Sequence, residues 1–156
     1  MSLPNNGKIF PDYFSRFELP QGAREELIQV YRACRSGKCN RESFLPSFEE
    51  KRCNENLIRD PTDPSEYSLS TYEKPKDIKR FAFLNSDMQV PYQIAIGNTN
   101  PEYGLVQRTK ERNPKHKSSH VDWWLYKDAT PYKNFNIIDN FDEYFKNYKK
   151  EKDKNK

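Results

Sequence analysis

The chain has 156 residues and a mass of 18.6 kDa, which suits one domain with a real core and is short for two. No segment approaches the ~18 consecutive apolar residues of a membrane helix, and the first residues, "MSLPNNGKIFPDYF", have neither the basic start nor the apolar run of a signal peptide. With three cysteines, an odd number better suited to a reducing compartment than to a disulfide scaffold, a cytoplasmic protein without membrane association is expected.

The formal charge is +4 and the sequence pI about 8.8, but much of the excess sits in the lysine-rich end, "KNYKKEKDKNK". Leu, Ile, Val and Phe make up only about a fifth of the residues. The core is therefore expected to rest on rings, drawn from ten Tyr, ten Phe and two Trp. The organisation expected is an irregular lead-in over 1–20, a single α+β domain over 21–145 and a basic flexible tail over 146–156.

In the lead-in, Phe10, Tyr13, Phe14 and Phe17 are available to pin the chain to its body. Residues 22–34, "GAREELIQVYRAC", admit two readings. Leu27, Val30, Tyr31 and Cys34 share one helical face. Alternatively, a short acidic-led helix ends near Leu27 and "IQVYRAC" is a strand with Ile28, Val30, Arg32 and Cys34 on one side, Tyr31 and Ala33 on the other. The second is preferred. Residues 40–52 read as a helical turn interrupted at Pro46, and 59–66 as a loop with two prolines.

"YSLSTY", residues 67–72, reads as a strand polar on one face. After it, "KPKDIKRFAFLN" opens with Pro75 in a helix's first turn and aligns Ile78, Phe81 and Ala82. "VPYQIAIGNT", 90–99, alternates as a strand. Further strands are expected at 105–107 and 121–126, separated by a long basic loop over 108–117, and Tyr132, Phe135 and Ile137 are the inward residues of 132–138. A final helix at 140–150 has acids near its start and lysines near its end, as the helix dipole favours.

Two constellations carry possible chemistry. Cys34 and Cys39 form C-x4-C, and His116 and His120 form H-x3-H, spacings found within zinc sites. The two pairs are much farther apart in sequence than zinc-finger halves, so no metal site is assigned. Cys34 and Cys53 are instead expected as buried small hydrophobes, and His116 as part of the basic loop.

The second constellation joins "VYRAC", "YSLSTYEKPKDIKRF", "PYQIAIG" and "VDWWLYKDATPYKNFNII". In this order the segments resemble the mono-ADP-ribosyltransferase superfamily. The resemblance implies a split or bent, mostly antiparallel sheet with flanking helices. It also implies NAD as substrate, with transfer of ADP-ribose to a macromolecular acceptor or hydrolysis of NAD, in the setting of a bacterial toxin or a phage-related or defence factor. By that resemblance Arg32 on the first strand would grip a phosphate or ribose, and Ser68 or Ser70 would brace the pocket. Tyr72 would stack on nicotinamide, Asp122 would stand where the family usually has glutamate, and His120 would be a second polar group. The chemistry asks for such residues: cleaving the nicotinamide–ribose bond develops positive charge on the sugar, which a carboxylate stabilises, and a guanidinium fork suits diphosphate oxygens.

A different class of function is a non-catalytic module that binds nucleic acid or protein through the basic loop 107–117, using phosphate contacts and ring stacking. Trp123 and Trp124 are neighbours on a strand, so one at most would face that surface.

Overall fold

The computed structural model describes residues 8–85 and 92–154. Residues 1–7 of the lead-in, Val90 and Pro91 at the start of the expected strand, and the last two residues of the tail lie outside the described residues.

The architecture is α+β. Among the described residues six strands, β1 (Gln29–Cys34), β2 (Leu69–Tyr72), β3 (Gln93–Asn98), β4 (Gly104–Arg108), β5 (His120–Leu125) and β6 (Asn136–Ile137), form one antiparallel sheet in the order β4-β5-β2-β1-β3-β6. Among the described residues four α-helices accompany it: α1 (Ser47–Glu50), α2 (Pro75–Asn85), α3 (Thr109–Arg112) and α4 (Phe141–Lys154). No helix of the described residues is long and apolar enough to cross a membrane.

The middle of the sheet is its weakest seam. β1 pairs with β3 along its whole length, yet meets β2 only where Tyr31 lies opposite Tyr72. Two three-stranded halves, β4-β5-β2 and β1-β3-β6, therefore join at a single residue pair.

Cross-strand partners share a face, which sorts the side chains. Leu69, Val106, Val121 and Trp123 lie on one face with Val30, Cys34 and Ala95, and Phe44 and Phe135 close over them as the main core. Tyr31, Ala33 and Ile94 lie on the other, under Ile78 and Ala82 of α2 and the rings of α4. Further along that second face Trp124 is covered by the lead-in, where Phe17 stacks on Tyr67 with centroids 4.4 Å apart. Phe10, Tyr13 and Phe14 do pin the lead-in down, and the core is as aromatic as the composition implies.

Several local expectations need correcting. No helix forms over 22–27; after a turn closed by the Ala23 amide on the Pro20 carbonyl, Arg24 exchanges backbone hydrogen bonds with Val106, in both directions at 3.0 and 2.7 Å, and so bridges to the outer edge of β4. Pairing an open sheet edge wins over a short acidic turn. The 108–117 segment is not all loop, since α3 occupies its first part. Cys53 is exposed and sits, like Arg52, in the left-handed region at φ 57°, where the short α1 ends. The helix read to residue 150 continues to Lys154, so most of the expected tail is helical.

Candidate functional site

Asp122 is the centre of a buried polar cluster. Its position on β5 places it opposite Ser70 on β2 and opposite Gln107 on β4, on the face that also carries Tyr72 and His120. A central strand is normally apolar on both faces, and Asp122 is fully buried there. It is tolerated because both carboxylate oxygens are engaged. Ser68 Oγ donates to Oδ1 at 2.6 Å, while Thr109 Oγ1 and Arg112 Nη2 donate to Oδ2, each at 2.9 Å.

The second layer holds those donors in place. Arg112 donates also to Gln107 Oε1 at 2.8 Å and to Ser65 Oγ at 2.9 Å, and its guanidinium lies 5.9 Å from the Trp124 ring centroid. Thr109 and Arg112 are three residues apart on α3, so one helical turn presents both to the same carboxylate. The turn begins directly after β4, whose register with β5 puts it there.

His120 joins through Thr109, whose Oγ1 is 2.5 Å from His120 Nδ1. Thr109 has one hydroxyl proton. Donating it to the ionised Asp122 leaves its oxygen to accept from Nδ1–H, so Nε2 is the ring nitrogen with the free lone pair. Burial pushes the His120 pKa down against the pull of Asp122, with the neighbouring His116, Arg112 and Arg32 adding to the downward push. Burial pushes the Asp122 carboxyl up, but the electrostatic pull of His120, the Ser68 hydroxyl and Arg112 together hold it below its ordinary value. When the His120 ring is neutral it exerts no such pull, and the Ser68 and Thr109 hydroxyls and the Arg112 guanidinium are then the groups that engage the carboxylate.

Of the predicted site residues, Ser68, His120 and Asp122 are bonded into this one network, and Tyr72 packs edge-on against His120 with centroids 5.2 Å apart. Ser70 faces the same way, directly across from Asp122. Arg32 does not join them. By alternation it points to the opposite face from Tyr31 and Tyr72, and its guanidinium plugs the β1–β2 seam, with Nε donating to the Ser43 carbonyl at 2.9 Å and Nη1 to that of Ser70 at 3.0 Å. At 5 % exposure it is a brace between the half-sheets, set too deep to grip a phosphate.

Sequence reading missed Thr109 and Arg112, counted within a basic loop. Arg108 is likewise spent internally, on Glu73 and Glu26. Lys110, Lys115 and Lys117 are the exposed cations of that segment, and both tryptophans are fully buried, which removes them as stacking platforms. The cysteine and histidine pairs do not converge: among the described residues no three His, Cys, Asp or Glu side chains are grouped to hold a metal ion.

Beside the network, Tyr72 forms one wall of an open pocket of about 240 Å³ lined also by Asp77, Arg80, Phe81 and Lys117. The segment leading into β5 is strapped across it, because Asp77 Oδ2 accepts from both the amide and the hydroxyl of Ser119, at 2.9 and 2.7 Å. A second pocket, of about 320 Å³ and lined by Tyr13, Phe44, Tyr126 and Tyr132 among others, touches none of the predicted residues. Comparison with protein-family models, curated proteins and solved structures returns no match.

Proposed function

We propose that the chain cleaves the nicotinamide–ribose bond of NAD, passing ADP-ribose to a macromolecular acceptor or to water. The observation that carries this reading is the 2.6 Å bond from Ser68 to Asp122. A serine at the start of the middle strand braces the acid of a late strand, and α2 follows that middle strand directly. The strands bearing Arg32, Ser70 and Asp122 are neighbours in the sheet, β1, β2 and β5.

In this reading Asp122 is the carboxylate that faces the developing ribose cation, held ionised and oriented by Ser68 and Thr109. His120 Nε2 is the base beside it, poised to take the proton of an attacking hydroxyl or water. Tyr72 and Phe81 supply the flat wall for nicotinamide, and Arg80 and Lys117 the cations for the diphosphate, in place of Arg32. Arg112 sits against the carboxylate where positive charge would develop, so substrate entry moves α3 outward.

The test is release of nicotinamide from labelled NAD. Wild type is expected to release it, Asp122→Asn to lose at least ~100-fold in rate and Ser68→Ala about tenfold. Equal rates in wild type and Asp122→Asn would overturn the assignment. Absence of release together with salt-sensitive retention of an oligonucleotide would shift it to a nucleic-acid module acting through Lys110, Lys115 and Lys117.

A further inference from the structure

Cys34 and Cys39 are close in space for a structural reason. β1 ends at Cys34, the chain reverses through Gly37 at φ 80°, and the Gly37 amide returns to the Cys34 carbonyl at 3.0 Å. Cys39, five residues further along the chain, then packs back against the core cluster that contains Cys34. Ser36 Oγ, bonded to Asn40 Oδ1 at 3.0 Å and Ser43 Oγ at 2.6 Å, laces the rest of the turn. The same turn supplies the Ser43 carbonyl that seats Arg32.

We propose that Cys34 and Cys39 form a reversible disulfide, made by exchange with a low-molecular-weight disulfide such as oxidised glutathione. The inference is independent of the NAD reading.

The two sulfurs have different exposures and hence different parts in the exchange. Cys39 is partly exposed and Cys34 is fully buried. Cys39 thiolate attacks one sulfur of the glutathione disulfide, forming a mixed disulfide and releasing one glutathione thiolate. Cys34 then loses its proton and attacks the Cys39 sulfur, closing the Cys34–Cys39 bond and releasing the second. The protein dithiol and one disulfide become the protein disulfide and two glutathione thiols, the two protein protons ending on the released thiolates. Burial pushes the Cys34 thiol up to about 12 and raises the Cys39 thiol as well, so exposure decides the order: Cys39 is reached from solvent first, and Cys34, sealed in the core, meets only the mixed disulfide on Cys39. Cys53, the third cysteine, has no such neighbour and is exposed on the far side of α1 in sequence.

The experiment incubates the full chain with oxidised glutathione, quenches by alkylation and maps the products by mass spectrometry. Wild type and Cys53→Ser are expected to yield a peptide linking Cys34 to Cys39, reversed by dithiothreitol. Cys34→Ser is expected to retain glutathione on Cys39, and Cys39→Ser, changed at a partly exposed position and so able to fold, to keep Cys34 reduced. A melting temperature higher for the oxidised chain than the reduced one is the accompanying readout of a locked turn. Stable glutathione on Cys39 of the wild type, or disulfides that pair Cys53 instead, would overturn the proposal.

Discussion

The carboxylate of Asp122 decides what the site is, and its neighbours decide what it costs. A buried ionised group is held only by donors placed around it. Removing Arg112 leaves a charge in the sheet with two hydroxyls for company, so Arg112→Ala is expected to destabilise by about 3 kcal/mol. Pairing it with Asp122→Asn should recover part of that loss, because the neutral amide needs no cation; a double-mutant cycle in urea measures the coupling. Ser68, His120 and Asp122 were legible as residues worth watching. Arg112 was not, because an arginine in "TKERNPKHK" reads as solvated until the β4–β5 register places α3 above the acid. The signal present in the sequence was the threonine and arginine three apart, immediately after a strand.

Among elements, β3 shows how tightly the second half-sheet is assembled. A Cβ on Gly97 would lie 2.5 Å from Cγ of Phe135, a ring that is itself core. Gly97→Ala is therefore expected to cost about 1–3 kcal/mol by overpacking, read as a lower urea midpoint with unchanged slope. The strands and α2 were readable because alternation, Pro75 and the 78-81-82 stripe are local signals. The bridge at Arg24 was not, since its backbone partner is Val106 on β4, about eighty residues away. The same long-range cause governs Arg32: its face followed from the strand period, but its place in the seam depends on how sparsely β1 meets β2.

For the molecule as a whole, the buried histidine and aspartate set the response to acid. The folded pKa of His120 lies below its unfolded value near 6.5, so the unfolded chain gains a proton first as pH falls. Its contribution to stability is complete above about pH 6.5 and is lost as pH falls toward the folded pKa. Asp122, also depressed, contributes above its unfolded pKa near 3.9 and loses that contribution as pH falls through the folded value. Stability is expected to decline from pH 7 to pH 5, and His120→Gln to flatten that slope while leaving the loss below about pH 4; urea titrations across the range would record both.

The seam between the half-sheets also sets an order in time. β4 and β5 close over a short span of chain, whereas β1 has one meeting point with β2 and finds its full partner only when β3, some sixty residues later, is available. A nascent chain therefore carries β1, with Val30, Tyr31 and Cys34, uncovered until the residues of β3 have been made.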